Sequence, residues 1–284
     1  MKEFKGKVAL ITGAANGFGR EFVKEAAARG MKIVAVDIEK AEVEAVCAEE
    51  RAKGADIIAI HADITKFEDI ERTVSTTMET YGQIDLLMNN AGVALLGTIW
   101  DLPLRDWEWI VHANLLSHAA YMKLVIPIML QQKTHCHIVN TASVAGVLTA
   151  NGMPAYYATK HGAVAMAESV SYDLQAIGAD IAVSVFCPGY VQTDLHNCQR
   201  HRPEQYRDDS DPYYTSFAFE EAQRTAANLI NTGKPIDSIG MRVFQAIEDE
   251  DFYILTDPLY TGMIGERVND MLAGKGPKLT KLRP

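Results

Sequence analysis

The sequence predicts an α/β protein: a single domain with a doubly wound, Rossmann-like parallel sheet and helices on both faces. Three features carry this expectation. Short apolar runs alternate with longer helical patterns along the chain, as βαβ units do. The runs are apolar throughout, which suits strands buried on both faces of a parallel sheet. The first run leads directly into a glycine-rich turn and a helical pattern, the setting in which a dinucleotide fingerprint has meaning.

Taken in order, strands are expected at 8–11, 33–36, 57–60, 85–88, 137–140 and 181–186, and helices at 18–29, 39–53, 67–80, 107–131, 154–176 and 218–231. Pro154 suits the first position of its helix, where the missing N–H is not needed. A helix near 237–248, a last strand at 252–255, a helix at 261–272 and a loose tail at 274–284 complete the chain. No internal repeat, low-complexity run or long polar linker divides it, so residues 1–284 are read as one dinucleotide-binding catalytic domain.

Composition narrows the function. The chain has 284 residues, 48% of them hydrophobic, and a formal net charge of −10. That acidic balance argues against a nucleic-acid partner. The cysteines Cys47, Cys136, Cys187 and Cys198 form no CxxC and read as reduced thiols. No secretory apolar region precedes the first strand, and the apolar stretch 121–130 is too short to span a bilayer, so a soluble, cytoplasmic protein with no membrane partner is expected. His135 and His137 alternate on one strand, but no further ligand joins them at a recognisable spacing and no metal site is expected. Trp100, Trp107 and Trp109 read as packing residues.

The turn after the first strand, Thr12-Gly13-Ala14-Ala15-Asn16-Gly17-Phe18-Gly19, places Gly13, Gly17 and Gly19 where a pyrophosphate can approach backbone N–H groups at a helix start. Asn16 and Phe18 belong to the same candidate cofactor site. Asp37 ends the second strand, 20 residues beyond Gly17, near the spacing of a ribose-binding acid. Its carboxylate would accept from ribose hydroxyls and repel a 2′-phosphate. No arginine follows it, which favours NAD over NADP; Lys40 and Arg20 are the residues that work against this. Asp37 also reads as a cap for the helix near Glu39. Tyr156 and Lys160 are i and i+4 and share a helix face. A cation beside a phenol favours the phenolate, so Tyr156 is expected to be tuned downward for proton transfer.

With NNAG at 89–92, Ser143 placed 13 residues before Tyr156, and YxxxK, the chain resembles the short-chain dehydrogenase/reductase family over about 4–195. The resemblance implies reversible hydride transfer between NAD and a secondary alcohol. Tyr156 would then be the acid–base, Ser143 the donor to the substrate oxygen, Lys160 the ribose contact and Asn114 the residue that continues a water relay. It also implies that Asp63 accepts from the adenine amino group, with Ile64 near the ring, and that Asn90, Ala91 and Gly92 meet the cofactor. Pro188 and Gly189 would redirect the chain over the nicotinamide, and the Val191 backbone and Thr193 hydroxyl would hold the carboxamide and pyrophosphate. The alternative readings are a turn residue for Asp63 and a polar residue paired to strand backbone for Asn114.

A mobile substrate flap is implied around 194–235, while 236–284 departs from the commonest family pattern and leaves the substrate pocket open. Apolar residues after NNAG and around Ser143 favour a medium or bulky hydrophobic alcohol or ketone, steroid-like or aromatic within that class. Surplus apolar surface on the helices of Asn114 and Tyr156 suggests a homo-oligomer, a tetramer by resemblance. An NADP-dependent carbonyl reductase and a non-catalytic NAD-binding regulator are the alternatives.

Overall fold

The structure, a computed structural model, describes residues 1–279. Seven strands form one parallel sheet: β1 (Val8–Thr12), β2 (Lys32–Asp37), β3 (Asp56–His61), β4 (Leu86–Asn89), β5 (Cys136–Thr141), β6 (Ile181–Cys187) and β7 (Tyr253–Leu255). Their order is β3-β2-β1-β4-β5-β6-β7. The order reverses between β1 and β4, so the crevice at the carboxyl ends of these strands is where a ligand of such a sheet binds.

Alternation along each strand divides the core in two. On one face Ala9, Ile11, Ile33 and Ala35 meet Phe22 and Val23 of α1 (Gly17–Ala28), Val43 of α2 (Lys40–Ala52) and, from near the end of the chain, Phe244. On the other, Leu10, Val34 and Val36 meet Ile70 of α3 (Phe67–Tyr81) and residues of two long helices described next. Each large side chain so enclosed contributes about 1.5–3 kcal/mol relative to exposure.

The single helix expected at 107–131 is longer and interrupted. α4 (Leu104–Val111) runs through a π turn (His112–Leu116) into α5 (Ser117–Gln132). A one-turn widening of this kind leaves apolar periodicity almost unchanged, so the pattern does not reveal it. By length and composition Leu104–Gln132 would reach across a membrane. Here it is a core helix: Tyr121, Val125 and Met129 are buried against the sheet, and Asp106 and Asn114 are buried among protein partners. α6 (Pro154–Ala176) starts with Pro154 in its first turn, as expected.

After β6, short 3₁₀ turns at Leu195–His201, Glu204–Tyr206 and Pro212–Thr215 lead to α7 (Phe217–Asn231). α8 (Ile239–Asp249), β7 and α9 (Pro258–Leu272) follow, close to the elements expected there. Asp257 caps α9 by accepting from Leu259 N, with Pro258 in the first turn. Residues 274–279 hold no helix or strand; the rest of the expected tail, 280–284, lies outside the described residues.

Candidate active site

One cleft runs along the carboxyl ends of the strands. Apart from Gly19, every residue expected to hold the cofactor lines it, and so do Ser143, Tyr156 and Lys160. Gly19 and Asn114 stand behind the wall. A Cβ on Gly19 would lie 1.9 Å from the Gly13 carbonyl oxygen, so only glycine allows α1 to start this close to the loop. Gly13 has φ of 65°, and a Cβ there would meet Ala91 Cα at 2.9 Å.

Thr12, Asn90 and Asp37 fix the loops. Thr12 Oγ1 accepts from Asn90 N at 2.9 Å and Ala91 N at 3.0 Å. Asn90 Nδ2 donates to the Thr12 carbonyl at 3.0 Å, and Asn90 Oδ1 accepts from Thr141 Oγ1 at 3.3 Å. Asp37 Oδ2 accepts from Ala15 N at 2.9 Å and Oδ1 from Glu39 N at 3.0 Å. Each oxygen keeps a lone pair that a ribose hydroxyl can use. Asp63 Oδ1 accepts from Thr65 N at 3.0 Å and Thr65 Oγ1 at 2.7 Å, forming the Asx turn that was its alternative reading.

The α1 N-terminus suits an anion. Asn16 makes no side-chain cap and the first turn holds no acidic residue, so its N–H groups and dipole face the cleft. Thr193 lies over Gly17, its methyl 3.5 Å from where a Cβ there would sit. These residues fit a dinucleotide with its pyrophosphate on the α1 start.

Ser143 Oγ accepts from Ala145 N at 3.1 Å and donates to the Pro188 carbonyl at 3.3 Å. Lys160 Nζ donates to the Thr141 carbonyl at 2.9 Å and lies 5.6 Å from the Tyr156 ring centre. Asn114 clamps the strand that follows NNAG: its Oδ1 accepts from Val93 N at 2.8 Å and its Nδ2 donates to the Val93 carbonyl at 2.9 Å. The downward tuning expected for Tyr156 is not found among the protein's own groups. Burial pushes its hydroxyl up to about 12, with a Ser143 hydrogen bond opposing, and burial lowers Lys160 to about 8. The reason is geometric: the ammonium sits over the ring and is spent on the Thr141 carbonyl.

Tyr156 and its neighbour Tyr157 are adjacent on α6 and turn their hydroxyls to different partners. The Tyr156 hydroxyl faces Ser143, whereas Tyr157 has the Ala150 backbone as its hydrogen-bond partner.

Sequence reasoning missed Trp109, Leu195, Cys198, His201 and Pro203, which also line the cleft. Trp109 is buried beneath the Arg202 guanidinium at 4.4 Å, a packing role that also forms wall. Leu195, Cys198 and His201 lie in the first 3₁₀ turn and Pro203 just beyond it, where no periodicity marks them. A second chamber opens from Ser143 and Tyr156 and is walled by Leu96, Leu148, Met153, Leu229 and Tyr260.

The sheet order and the glycine-rich helix start define a dinucleotide-binding α/β protein. A family model described as short chain dehydrogenase matches residues 7–204, and the chain belongs to that family of oxidoreductases. It is 50% identical over 277 residues to a CLA biosynthesis dehydrogenase/reductase of Lactiplantibacillus plantarum, covering 98% of this chain and 97% of that protein. A 1-deoxy-11-beta-hydroxypentalenate dehydrogenase of Streptomyces exfoliatus is 34% identical over 193 residues, 66% of this chain and 69% of its own. Among solved structures, a short chain dehydrogenase/reductase from Burkholderia phymatum in complex with NAD superposes with a TM-score of 0.95 at 34% identity, covering 100% of both chains.

Proposed function

We propose that the protein is an NAD-dependent oxidoreductase that interconverts a secondary alcohol and a ketone on a medium or bulky hydrophobic substrate. The observation that carries this reading is that Ser143 and Tyr156 line both the dinucleotide cleft and an apolar chamber, with Lys160 beside them on the cleft side. NAD, when bound, supplies or takes up the hydride. Tyr156 gives a proton to the substrate oxygen in reduction and takes it back in oxidation. Ser143 donates a hydrogen bond to the same oxygen as negative charge develops. Lys160 holds its position from the β5 end and contacts the nicotinamide ribose. Asn114 acts through Val93, whose backbone it fixes, and continues the relay to water.

NAD over NADP is supported by the Asp37 carboxylate in the cleft and by the NAD of the Burkholderia phymatum relative. Arg20, a cation that would favour a 2′-phosphate, pairs instead with Glu49 at 2.8 Å. A panel of ketones and alcohols followed by NADH and NADPH absorbance tests the proposal. Turnover of hydrophobic secondary alcohols with NAD is expected. Equal kcat/KM with NADP, or activity confined to polar sugars, would overturn it.

The proposal extends to a cytoplasmic homo-oligomer, a tetramer. Leu116 and Leu130 near the ends of α5 and Tyr172 on α6 are exposed apolar residues that such an interface would cover. Sedimentation at micromolar concentration checks it, and a monomer throughout would refute it.

A further inference from the structure

The segment expected to cover substrate also reaches the far end of the cleft. It leaves the Ser143–Tyr156 end at Leu195 and passes Cys198, whose thiol lies 3.1 Å from the Ala94 carbonyl. His201 Nδ1 then lies 2.7 Å from Glu39 Oε1, two residues past Asp37. Arg200 Nε donates to His201 Nε2 at 3.1 Å, while Nδ1 is buried and makes no hydrogen bond to the protein, so Glu39 meets it as a close polar contact. Gln205 Nε2 donates to Thr65 Oγ1 at 3.1 Å, two residues past Asp63. His201 and Pro203 line the same cleft as Asp37 and Asp63. Arg202, between them, anchors the segment from beneath: Nη1 donates to Asp106 Oδ1 at 2.5 Å and the guanidinium stacks on Trp109.

We propose that residues 201–205 form the outer wall of the adenosine half of the dinucleotide site. The Glu39–His201 and Thr65–Gln205 contacts latch this wall, and their opening sets how fast the dinucleotide leaves. The inference rests on reading the cleft as a nicotinamide dinucleotide site. The contacts bridge exactly the two loops, after β2 and after β3, that frame the adenosine end. A latch that closes over a bound ligand must open before escape, so its effect falls on the dissociation rate. His201 and Glu39 keep 21% and 27% of their side-chain surface exposed, so each latch is modest and solvent-screened.

Stopped-flow release of NADH from the whole protein tests this. His201→Ala and Gln205→Ala should each speed release about two- to fivefold, and together about tenfold. Glu39→Ala should match His201→Ala and add little to it, since both remove one contact. ADP-ribose, which keeps the adenosine half, should weaken in step with NADH. Reduced nicotinamide mononucleotide, which lacks that half, should bind every variant equally well. Unchanged NADH release in the double variant would overturn the proposal, as would equal weakening of the mononucleotide. Failure of the unmodified protein to bind NADH at all would instead overturn the parent reading, and the latch with it.

Discussion

The two walls of the cleft are built by different means. The sheet-side wall is made of strand ends and the turns that leave them, tied by many short bonds: Thr12 Oγ1 alone accepts from two backbone N–H groups, and Asn90 bonds back to the β1 end. The opposite wall is a run of short 3₁₀ turns that leans on one buried cluster. There Asp106 Oδ1 accepts from Arg202 Nη1 and from the Tyr214 hydroxyl, and Arg202 also donates to the Tyr206 carbonyl. Asp106 Oδ2 and Arg202 Nη2 are buried without hydrogen-bond partners. Chemistry is thus positioned by redundancy, and enclosure chiefly by one buried ion pair with exposed contacts at its edge.

The sharpest way to break this comparison is to remove that pair. Arg202→Ala leaves the Asp106 carboxylate buried beside Tyr214 alone and should lower the unfolding free energy by about 3–5 kcal/mol in urea titration. Replacing both partners with apolar residues should recover part of this loss. A single-variant loss below about 1 kcal/mol would mean that the strap is held by its many small contacts instead.

On the sheet-side wall the largest effect should come from the reacting group. Tyr156→Phe should lose at least ~100-fold in kcat while NADH still binds. Tyr157→Phe should keep most activity, because its hydroxyl is turned to the Ala150 backbone. If steady-state kinetics show Tyr157→Phe to be the inactive variant, the assignment is off by one residue.

The smallest effect is in the pH profile. Burial holds Tyr156 up at about 12 and Lys160 down at about 8. Tyr156 therefore stays protonated, ready to donate, across the neutral and mildly alkaline range. Lys160 carries its charge below its pKa and loses it above. The kcat/KM of ketone reduction, which reports the free enzyme, should hold at neutral pH and fall as pH rises through about 8. A profile flat well past that point would show that the Lys160 charge does not matter to the step.

Legibility in the sequence follows the same division. The strands and their order-setting turns are readable because buried parallel strands are unbroken apolar runs, and because Gly13 and Gly19 sit where a side chain would collide. The elements from α8 to α9 were readable for similar reasons. The strap was not. Arg202 meets Asp106 across 96 residues and Gln205 meets Thr65 across 140, and no local pattern encodes such pairings. The π turn that carries Asn114 leaves no mark in the sequence, because a helix widened by one residue keeps its apolar face. Tyr156 departs from the expected tuning because spacing gives adjacency to Lys160 but not the Thr141 carbonyl that binds its ammonium.

Asp37 has a consequence for how this chain is able to diverge. The carboxylate that would read the ribose is also the acceptor for Ala15 N and Glu39 N, joining the glycine-rich loop to the start of α2. A lineage that traded Asp37 for a small residue to admit a phosphorylated ribose would leave the buried Ala15 N–H unpaired, a penalty of about 1–3 kcal/mol, and the half-buried Glu39 N–H to find water instead. Cofactor choice and loop integrity are therefore inherited together. A switch of preference has to bring a replacement acceptor with it, and single substitutions at this position lead first through a less stable protein.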